Sequence, residues 1–477
     1  MTLTLNRRAD LTLEALQRVA WGHEAVALGG EARAKIAAAR ADFLALIERE
    51  DIVIYGVNTG YGHQAKRRLT PDERKAQAMA PTHHRAASWG EPLPERVTRA
   101  IVFARLANVI EGHAALSPHV AEALAAMLDG GPLPEVPARG QGGAGEILSL
   151  SHLFLSLTQA LELAEKDMLS LINGSPAATA LVADAALAAA RRLELVADVL
   201  ALSAEAFNAP LGHFAEELEG LWNNPHDAWA LEALRRRIGG GHGGARRPYQ
   251  APVSIRIMPR VMGEAHRAMA SAEAIARQSL GAVSDNPVVF PKGERIGPDE
   301  VVSTGGYHNA QAPAAIDALT AASANLAIIA TRVAAKLQDG PVSLLPPFLG
   351  YLDGRDYLGC LPMAMVGYEE EMRMLAAPTL LPGSESGGFA QDDVASPVFA
   401  TWSKQEKAGV LLELVLASLA PIAVRALDVT GRPAPPLLQA LIDETRRHFP
   451  DDGRGITMGA ECAALAASFR KRIYAAD

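Results

Sequence analysis

Cysteine is scarce in this chain, where Cys360 and Cys462 are the only two among 477 residues. Two cysteines cannot form a disulfide framework or a cysteine-rich metal site, so a reduced, cytoplasmic protein is expected. Aromatic residues are also few, at 5%, whereas 49% of the chain is hydrophobic, with an excess of alanine and leucine. This composition favours helix over sheet and allows a large buried core.

Positive charge is in deficit, because 45 lysines and arginines stand against 54 aspartates and glutamates, for a formal net charge of -9. A general nucleic-acid surface needs clustered positive charge, so we expect no nucleic-acid partner. The N-terminus lacks the apolar core of an export signal, and the apolar stretches are interrupted by Glu, Ser or Arg. We therefore expect no membrane partner either.

Motifs for metal or phosphate binding are missing. The sequence has no His-Glu-x-x-His motif, and His83, His84 and His308 do not stand at helical spacing with a carboxylate. We therefore expect no metal site. The glycine-rich stretches lack the preceding strand and the Gly-Lys-Ser or dinucleotide-binding context that phosphate binding requires.

Long helical patterns dominate the organisation of the chain. Apolar residues recur at spacings of three and four over roughly 176–206, 264–282 and 310–336, which predicts long helices that pack against one another. We expect an all-α fold with a long central helical bundle and a smaller N-terminal helical and loop region. The predicted division gives an N-terminal region 1–205 and a C-terminal bundle region 206–477.

A glycine run over 239–244 stands just before the polar segment 250–256. A flexible loop beside a polar cluster is consistent with an active-site lid, and it is equally consistent with a surface linker. Both interpretations stay open from the sequence.

Six groups of polar and turn-forming residues follow one another in an order that resembles the histidine and phenylalanine ammonia-lyase family. The groups lie at 55–62, at 91–94 with the run to 173–175, at 250–256, at 282–287, at 305–309 and at 391–394. The resemblance implies an all-α fold of the histidine ammonia-lyase/fumarase-like type and a carbon-nitrogen lyase acting on a small amino-acid-like substrate. It also implies a homotetramer whose sites are built from several subunits.

The same resemblance implies roles for particular residues. Tyr55 falls on a tyrosine that acts as catalytic acid or base, and Asn173 falls on a substrate-binding asparagine. Gln250 and Arg256 fall on a glutamine and a carboxylate-binding arginine, and a planar guanidinium suits a carboxylate in two parallel hydrogen bonds. A tyrosine base needs its pKa lowered from about 10, which a nearby cation such as Arg256 or Arg85 would provide.

Plain structural roles remain open for these residues. Tyr55 would simply pack in its loop, Arg256 would form a structural salt bridge, and Asn173 would cap the following helix. The paired carboxylates Asp392 and Asp393 would lie in a solvated loop, or one of them would act in acid-base chemistry or hold a cationic ligand. Gln250 and Tyr307 are predicted to belong to the polar lining of the pocket, and His84 and Arg85 to bind the substrate. The plain alternative for His83 and His84 is that they are surface histidines.

The segment 137–148 departs from the family at its cofactor-forming positions. The family has Ala-Ser-Gly, which cyclises and dehydrates into an electrophilic methylidene-imidazolone, whereas this chain has Gly143-Ala144-Gly145. The methylidene is made from the serine CH2-OH by loss of water, and Ala144 has no hydroxyl group to lose. We therefore expect no cofactor.

Other departures fall within the same predicted site. Val253 takes the place of a second catalytic tyrosine, which the nearby Tyr249 would replace only in part. Asp392 stands where the family has glutamate, Val394 where it has histidine, and His84-Arg85 where it has Ser-His. The extra cation and the lost groups together indicate a rebuilt pocket rather than a single lost serine.

These observations predict a cofactor-free elimination of an amine, including trimethylamine, from a histidine-like or aromatic amino acid or betaine. Tyr55 would be the base, Arg256 and Asn173 would bind the carboxylate, and Asp392 with Gln250 and Tyr307 would hold the remainder. The free amides of 141–145, before a helix predicted from about Glu146, would stabilise developing negative charge. The ergothionase subgroup, which acts on thiolhistidine betaine, illustrates this type of reaction.

Three rival functions remain open. An isomerase, racemase or addition enzyme would use the same base and retain the amino group. A binding protein would keep Arg256 and lose turnover. A conventional ammonia-lyase would need the electrophile.

Overall fold

The computed structural model describes residues 2–80, 83–239, 245–294, 300–350, 358–384, 392–450 and 455–475. Most of the glycine run, residues 240–244, and Gln391 of the last family-like segment lie outside these residues.

Helices make up most of the described chain, and the prediction of an all-α fold is confirmed. In chain order the α-helices are α1 Leu13–Ala20, α2 Gly30–Ile47, α3 Pro71–Ala78, α4 Glu95–Arg105, α5 Pro118–Ala126, α6 Ile147–Ala160, α7 Asp167–Ile172, α8 Pro176–Ala206, α9 Glu217–Trp222, α10 Pro225–Ile238, α11 Val253–Arg256, α12 Met258–Leu280, α13 Gln311–Gln338, α14 Gly340–Ser343, α15 Leu361–Leu375, α16 Val398–Thr430, α17 Gln439–His448 and α18 Met458–Ile473. The strands are β1 Thr2–Leu5 and β2 Ala25–Leu28, which pair in parallel, and β3 Val288–Val289 and β4 Val301–Val302, which pair antiparallel.

Four long helices, α8, α12, α13 and α16, form the central bundle. They contain 31, 23, 28 and 33 residues, so the longest spans roughly 50 Å at 1.5 Å per residue. Each packs against at least two of the others, and small alanine side chains on the contacting faces allow the close approach. The three long helices predicted from the sequence are therefore confirmed, and α12 begins at Met258, earlier than its predicted start.

The ends of these helices follow from local sequence. Pro176 occupies the first turn of α8, where a missing backbone N–H costs nothing. Gly431 ends α16 with a φ of 62°, a left-handed conformation that glycine adopts without strain.

Two of the bundle helices, α13 and α16, have the length and apolar composition of a membrane span. Within the protein, however, 67% and 83% of their most apolar windows are buried against other parts of the chain. Their apolar composition is accounted for by this packing, as in the interior of a helical bundle.

One cluster of buried apolar residues runs from Leu5 to Ile473 and includes all four bundle helices. The predicted division into 1–205 and 206–477 coincides with the end of α8, and it stays a prediction. The bundle gives a rigid base on which the starts of α6, α8 and α16 come together.

Candidate active site

A cavity of about 630 Å³ opens where the starts of α6 and α16 meet the loop around Tyr55 and the end of α7. It is lined by residues from distant parts of the sequence. They are Tyr55, Tyr61, Gly62, Gln64, His84, Arg85, Gln141, Gly142, Gly143, Ala144, Glu146, Ile147, Leu148, Met168, Leu169, Ile172, Asn173, Ser384, Asp392, Ser396 and Phe399. The cavity thus contains the glycine segment and five of the predicted site residues: Tyr55, His84, Arg85, Asn173 and Asp392.

The loop that carries Tyr55 is fixed by its own side chains. Asn58 accepts a hydrogen bond from the Ile54 amide at 2.7 Å and donates to the Ile52 carbonyl at 2.9 Å. Gly56 has a φ of 69°, and a side chain there would overlap the Tyr61 ring. The Gly62 amide donates to the Tyr55 hydroxyl at 3.2 Å, which holds the phenol at the cavity wall.

The ionisation of Tyr55 differs from the sequence expectation. Burial raises the pKa of Tyr55 above its ordinary value, and nearby Asp392 and Tyr307 act in the same direction. The Gly62 amide and Arg85 lower this pKa, but burial outweighs both. Arg85 thus acts on this pKa in the expected direction, but desolvation of the phenolate outweighs its effect in the single chain.

Arg85 reaches the cavity from the short turn His83–Arg85. Its guanidinium carbon lies 5.5 Å from the centre of the Tyr61 ring, and its Nη1 donates to the Met168 sulfur at 3.6 Å. Burial lowers the pKa of Arg85, and the two tyrosines partly offset that effect. His84 is exposed at the rim of the same cavity, and His83 is exposed beside it.

The glycine segment has a backbone that only glycine adopts easily. Gly143 and Gly145 have φ values of 146° and 68°, and Ala144 lies between them with its methyl group among the cavity-lining atoms. Helix α6 begins directly afterwards at Ile147, within one residue of the predicted start, and its first turn receives no side-chain cap. Ile147 and Leu148, the first two residues of this turn, line the cavity.

Glu146 is a cavity residue to which the sequence reasoning gave no role. Its carboxylate accepts hydrogen bonds from the amides of Ala177 and Ala178 at 2.6 and 2.7 Å, and so caps the start of α8. Burial raises the pKa of Glu146 to about 8, against the opposing effects of the two amides and Arg105. An acidic residue directly after a glycine run and before an apolar helix was the available sequence signal.

Asn173 is buried between the glycine segment and the start of α8. Its Nδ2 donates to the Asn286 carbonyl at 3.2 Å, and its own carbonyl accepts from Arg105 at 2.6 Å. Its Oδ1 has no hydrogen-bond partner among the described residues. The alternative that Asn173 caps α8 is wrong, because Ser175 is the N-cap residue and the amides of Ala177 and Ala178 are capped by Glu146.

Asp392 and Tyr307 lie near Tyr55, whereas Gln250 and Arg256 do not line the cavity. The Arg256 Nε donates to the Ala251 carbonyl at 3.0 Å, and no described carboxylate forms an ion pair with it. Gln250 is exposed, as are Tyr249 and Val253, which are 53% and 57% exposed. The single chain therefore does not bring Gln250 and Arg256 to the cavity. Their substrate-binding role stays a prediction.

The close contact between Gly145 and Asn173 gives a matched test of the loop geometry. In Gly145→Ala the new methyl group would overlap Asn173 Oδ1 and would also have to adopt a φ of 68°. Strain of about 1–3 kcal/mol is expected, and at least a tenfold loss of kcat/KM if the reaction depends on this geometry. The control is Gly142→Ala, in the same cavity with nothing within 4 Å of the added carbon. Equal activity of the two variants would contradict the proposed importance of the Gly145–Asn173 contact.

Comparison with known proteins relates the chain to one described family. A sequence profile described as aromatic amino acid lyase matches residues 11–158 and 157–447. The chain is 30% identical over 469 residues to a histidine ammonia-lyase from Anaeromyxobacter dehalogenans, covering 89% of this chain and 90% of that protein.

Solved structures of the same fold include enzymes with different activities. Ergothionase from Treponema denticola, an ergothioneine-degrading enzyme solved with desmethyl-ergothioneine sulfonic acid, superposes with a TM-score of 0.89 at 18% identity, covering 99% of both chains. Phenylalanine aminomutase from Pantoea agglomerans gives a TM-score of 0.88 at 19% identity, covering 100% of both chains. At these identities the likeness establishes the fold.

Proposed function

Because the chain belongs to the aromatic amino acid lyase family, we propose that it is a carbon-nitrogen lyase that works without a methylidene-imidazolone. Its substrate would be a histidine-like or aromatic amino acid, or the corresponding betaine, and its product an unsaturated acid. The observation that carries the proposal is that Tyr55, which has a phenol, and Ala144, whose side chain is only a methyl group, line the same cavity.

The residues present do not fit the family's electrophilic cofactor. Its exocyclic carbon would have to come from the side chain at position 144, and a methyl group has no hydroxyl to eliminate. In this chain, Ala144 stands between two glycines with positive φ, Gly143 and Gly145. No step of the proposed reaction is therefore routed through such a group.

The elimination needs a base and a leaving amine. The Tyr55 phenolate would take a proton from the β-carbon, and the C–H electron pair would form the double bond between the α- and β-carbons. The C–N bond would break at the same time, and its electron pair would leave with the amine. A trimethylammonium group has no N–H proton to lose and so stays cationic, whereas an ammonium group that loses a proton becomes a poor leaving group, so a betaine needs less activation.

Because burial raises the pKa of Tyr55, this residue would act as a base more easily beside a cationic substrate. A permanent positive charge beside the phenol favours the phenolate, and so opposes the effect of burial on the pKa. Asp392 near the same phenol would help to hold that cation.

The proposed roles of Arg256 and Gln250 require that several subunits assemble. In a homotetramer they would reach the cavity of another subunit, where Arg256 would bind the substrate carboxylate beside Asn173. The exposed side chains of Tyr249 and Val253 next to them are consistent with a covered surface in the assembly. We propose the cytoplasm as the location.

The proposed function is tested with a panel of substrates and a mass measurement on the same sample. Histidine, phenylalanine, tyrosine, their trimethylated betaines and thiolhistidine betaine are incubated with the protein. Absorbance of a conjugated acid and release of amine are followed. We expect turnover of at least one betaine, with a chain mass that matches the unmodified sequence.

The outcomes separate the rival functions. A chain mass lower by two waters would overturn the cofactor-free proposal. A product that keeps its amino group would indicate an isomerase or an addition enzyme. Saturable binding with no product from any compound would indicate a binding protein.

A further inference from the structure

One residue of the segment 250–256 is held by side chains on both of its backbone polar groups. The Ala251 amide donates to Nε2 of His213 at 3.1 Å, and the Ala251 carbonyl accepts from Nε of Arg256 at 3.0 Å. His213 lies in the short turn Leu211–Phe214, between α8 and α9, and is not part of the cavity wall. The imidazole and the guanidinium are thus coupled through one backbone residue.

The contact with Ala251 requires one particular form of the imidazole. An amide N–H can donate to Nε2 only when that nitrogen carries no proton, so His213 is neutral with its proton on Nδ1. Burial lowers the pKa of His213, and the positive charge of Arg256 acts in the same direction. Both effects keep the acceptor available near neutral pH.

Loss of that acceptor would change the conformation of the segment. Ala251 is only 3% exposed, and a buried amide without a partner costs about 1–3 kcal/mol. The backbone can recover a hydrogen bond by moving this amide towards water. Arg256, which is bonded to the carbonyl of the same residue, would then be displaced with it.

We propose that His213 is a positioning residue that sets the conformation of the segment 250–256 and so aims the guanidinium of Arg256 at the substrate carboxylate. The contact with Ala251 uses Nε of Arg256. The two Nη groups thus keep the planar geometry that suits a carboxylate. This inference rests on the proposed binding of the carboxylate by Arg256, and adds to it the residue that orients the guanidinium.

Binding of two matched ligands tests the inference without requiring turnover. The probes are cinnamate, an unsaturated acid of the proposed product class, and cinnamamide, which has nearly the same shape and no charge. The wild-type protein is expected to bind cinnamate at least about tenfold more tightly, as charge-assisted hydrogen bonds predict. Dissociation constants are measured by isothermal titration calorimetry at neutral pH.

Two variants of His213 separate positioning from packing. His213→Leu removes the acceptor and is expected to reduce the preference to less than about threefold, by weakening the binding of cinnamate alone. His213→Gln places an amide oxygen close to the position of Nε2 and should retain most of the preference. The control is His119→Leu, which removes a histidine whose Nε2 contacts the Glu162 carbonyl at 2.8 Å outside the cavity, and it should change nothing.

Hydrogen–deuterium exchange reports the anchor itself. The peptide that contains Ala251 should exchange faster in His213→Leu than in the wild-type protein, because its amide has lost its partner. In His213→Gln the exchange should stay close to that of the wild type. Equal exchange in the wild type and His213→Leu would overturn the anchoring contact.

Failure of this inference is distinguishable from failure of the proposed function. Equal binding of the two probes by the wild-type protein, an unchanged preference in His213→Leu, or equal weakening of both probes would overturn the role of His213 even if elimination is observed. A preference that survives in Arg256→Gln would overturn the carboxylate-binding role of Arg256 as well. A preference lost in His213→Leu and kept in His213→Gln would support the inference even if no compound in the substrate panel is turned over.

Discussion

Replacement of Tyr55 by phenylalanine is expected to lower kcat/KM by about 10³-fold, the size of effect that general acid-base groups usually contribute. The change removes one hydroxyl group, which accepts a hydrogen bond from the Gly62 amide and reaches the cavity. The ring remains, so its edge-to-face contact with Tyr61, at 6.4 Å between ring centres, should persist. The measurement is steady-state kinetics on the best substrate from the panel.

Tyr61→Phe is the matched control for this prediction. Tyr61 lines the same cavity, and its loss of a hydroxyl group is chemically identical. We expect less than about a tenfold effect, because Arg85 contacts the ring face and not the hydroxyl group. A similar loss in both variants would indicate that the phenols act through loop structure, and no loss in Tyr55→Phe would exclude Tyr55 as the base.

The pH dependence of the same reaction follows from the direction of the Tyr55 shift. Because burial raises the pKa of this phenol, the phenolate is a minor form near neutrality, and its population increases with pH. The logarithm of kcat/KM should therefore rise by about one per pH unit through the neutral and mildly alkaline range. Tyr55→Phe should remove that dependence. A wild-type rate that falls over this range would contradict a phenolate base.

The sequence was sufficient for the fold because its signals were local and repeated. Alanine-rich stretches with apolar residues at three and four predicted α8 and α13 to within about two residues, since propensity and burial favour the same structure. The start of α12 was missed because Met258, Pro259 and Met262 are buried in its first turns, a tertiary contact that periodicity from residue 264 does not include. The exact ends of a helix depend on such packing more strongly than the presence of the helix does.

The site was only partly predictable, because it depends on which segments meet. Residues near 55, 85, 144, 173 and 392 share one cavity, in agreement with the order of family-like segments, but the geometry also adds Glu146. Its role arises from an amide pair 31 and 32 residues away, which no sequence pattern displays. The direction of the pKa shift of Tyr55 likewise could not be predicted without knowing that its phenol is buried.

Behind the cavity, Asn173 is held by a buried ion cluster that formed no part of the sequence prediction. Arg105 donates to the Asn173 carbonyl at 2.6 Å and to Asp285 at 3.3 Å. Lys166 donates to the other oxygen of Asp285 at 2.5 Å, and all three charged side chains are fully buried. One carboxylate thus pairs with two cations, and one of these cations, Arg105, holds the Asn173 carbonyl.

Asp285→Leu is therefore expected to lower the free energy of unfolding by about 3–5 kcal/mol, because it leaves buried cations without their counter-charge. Burial already lowers the pKa of Lys166, so that residue can escape part of the penalty by losing its proton, whereas Arg105 cannot at any ordinary pH. The measurement is the urea midpoint and slope of unfolding, followed by circular dichroism.

The control is Glu14→Leu, which breaks the exposed Glu14–Arg277 pair and should cost less than about 1 kcal/mol. If the two variants lose similar stability, the cluster is not what holds Asn173 in place, and an Asp285→Asn variant with normal activity would lead to the same conclusion.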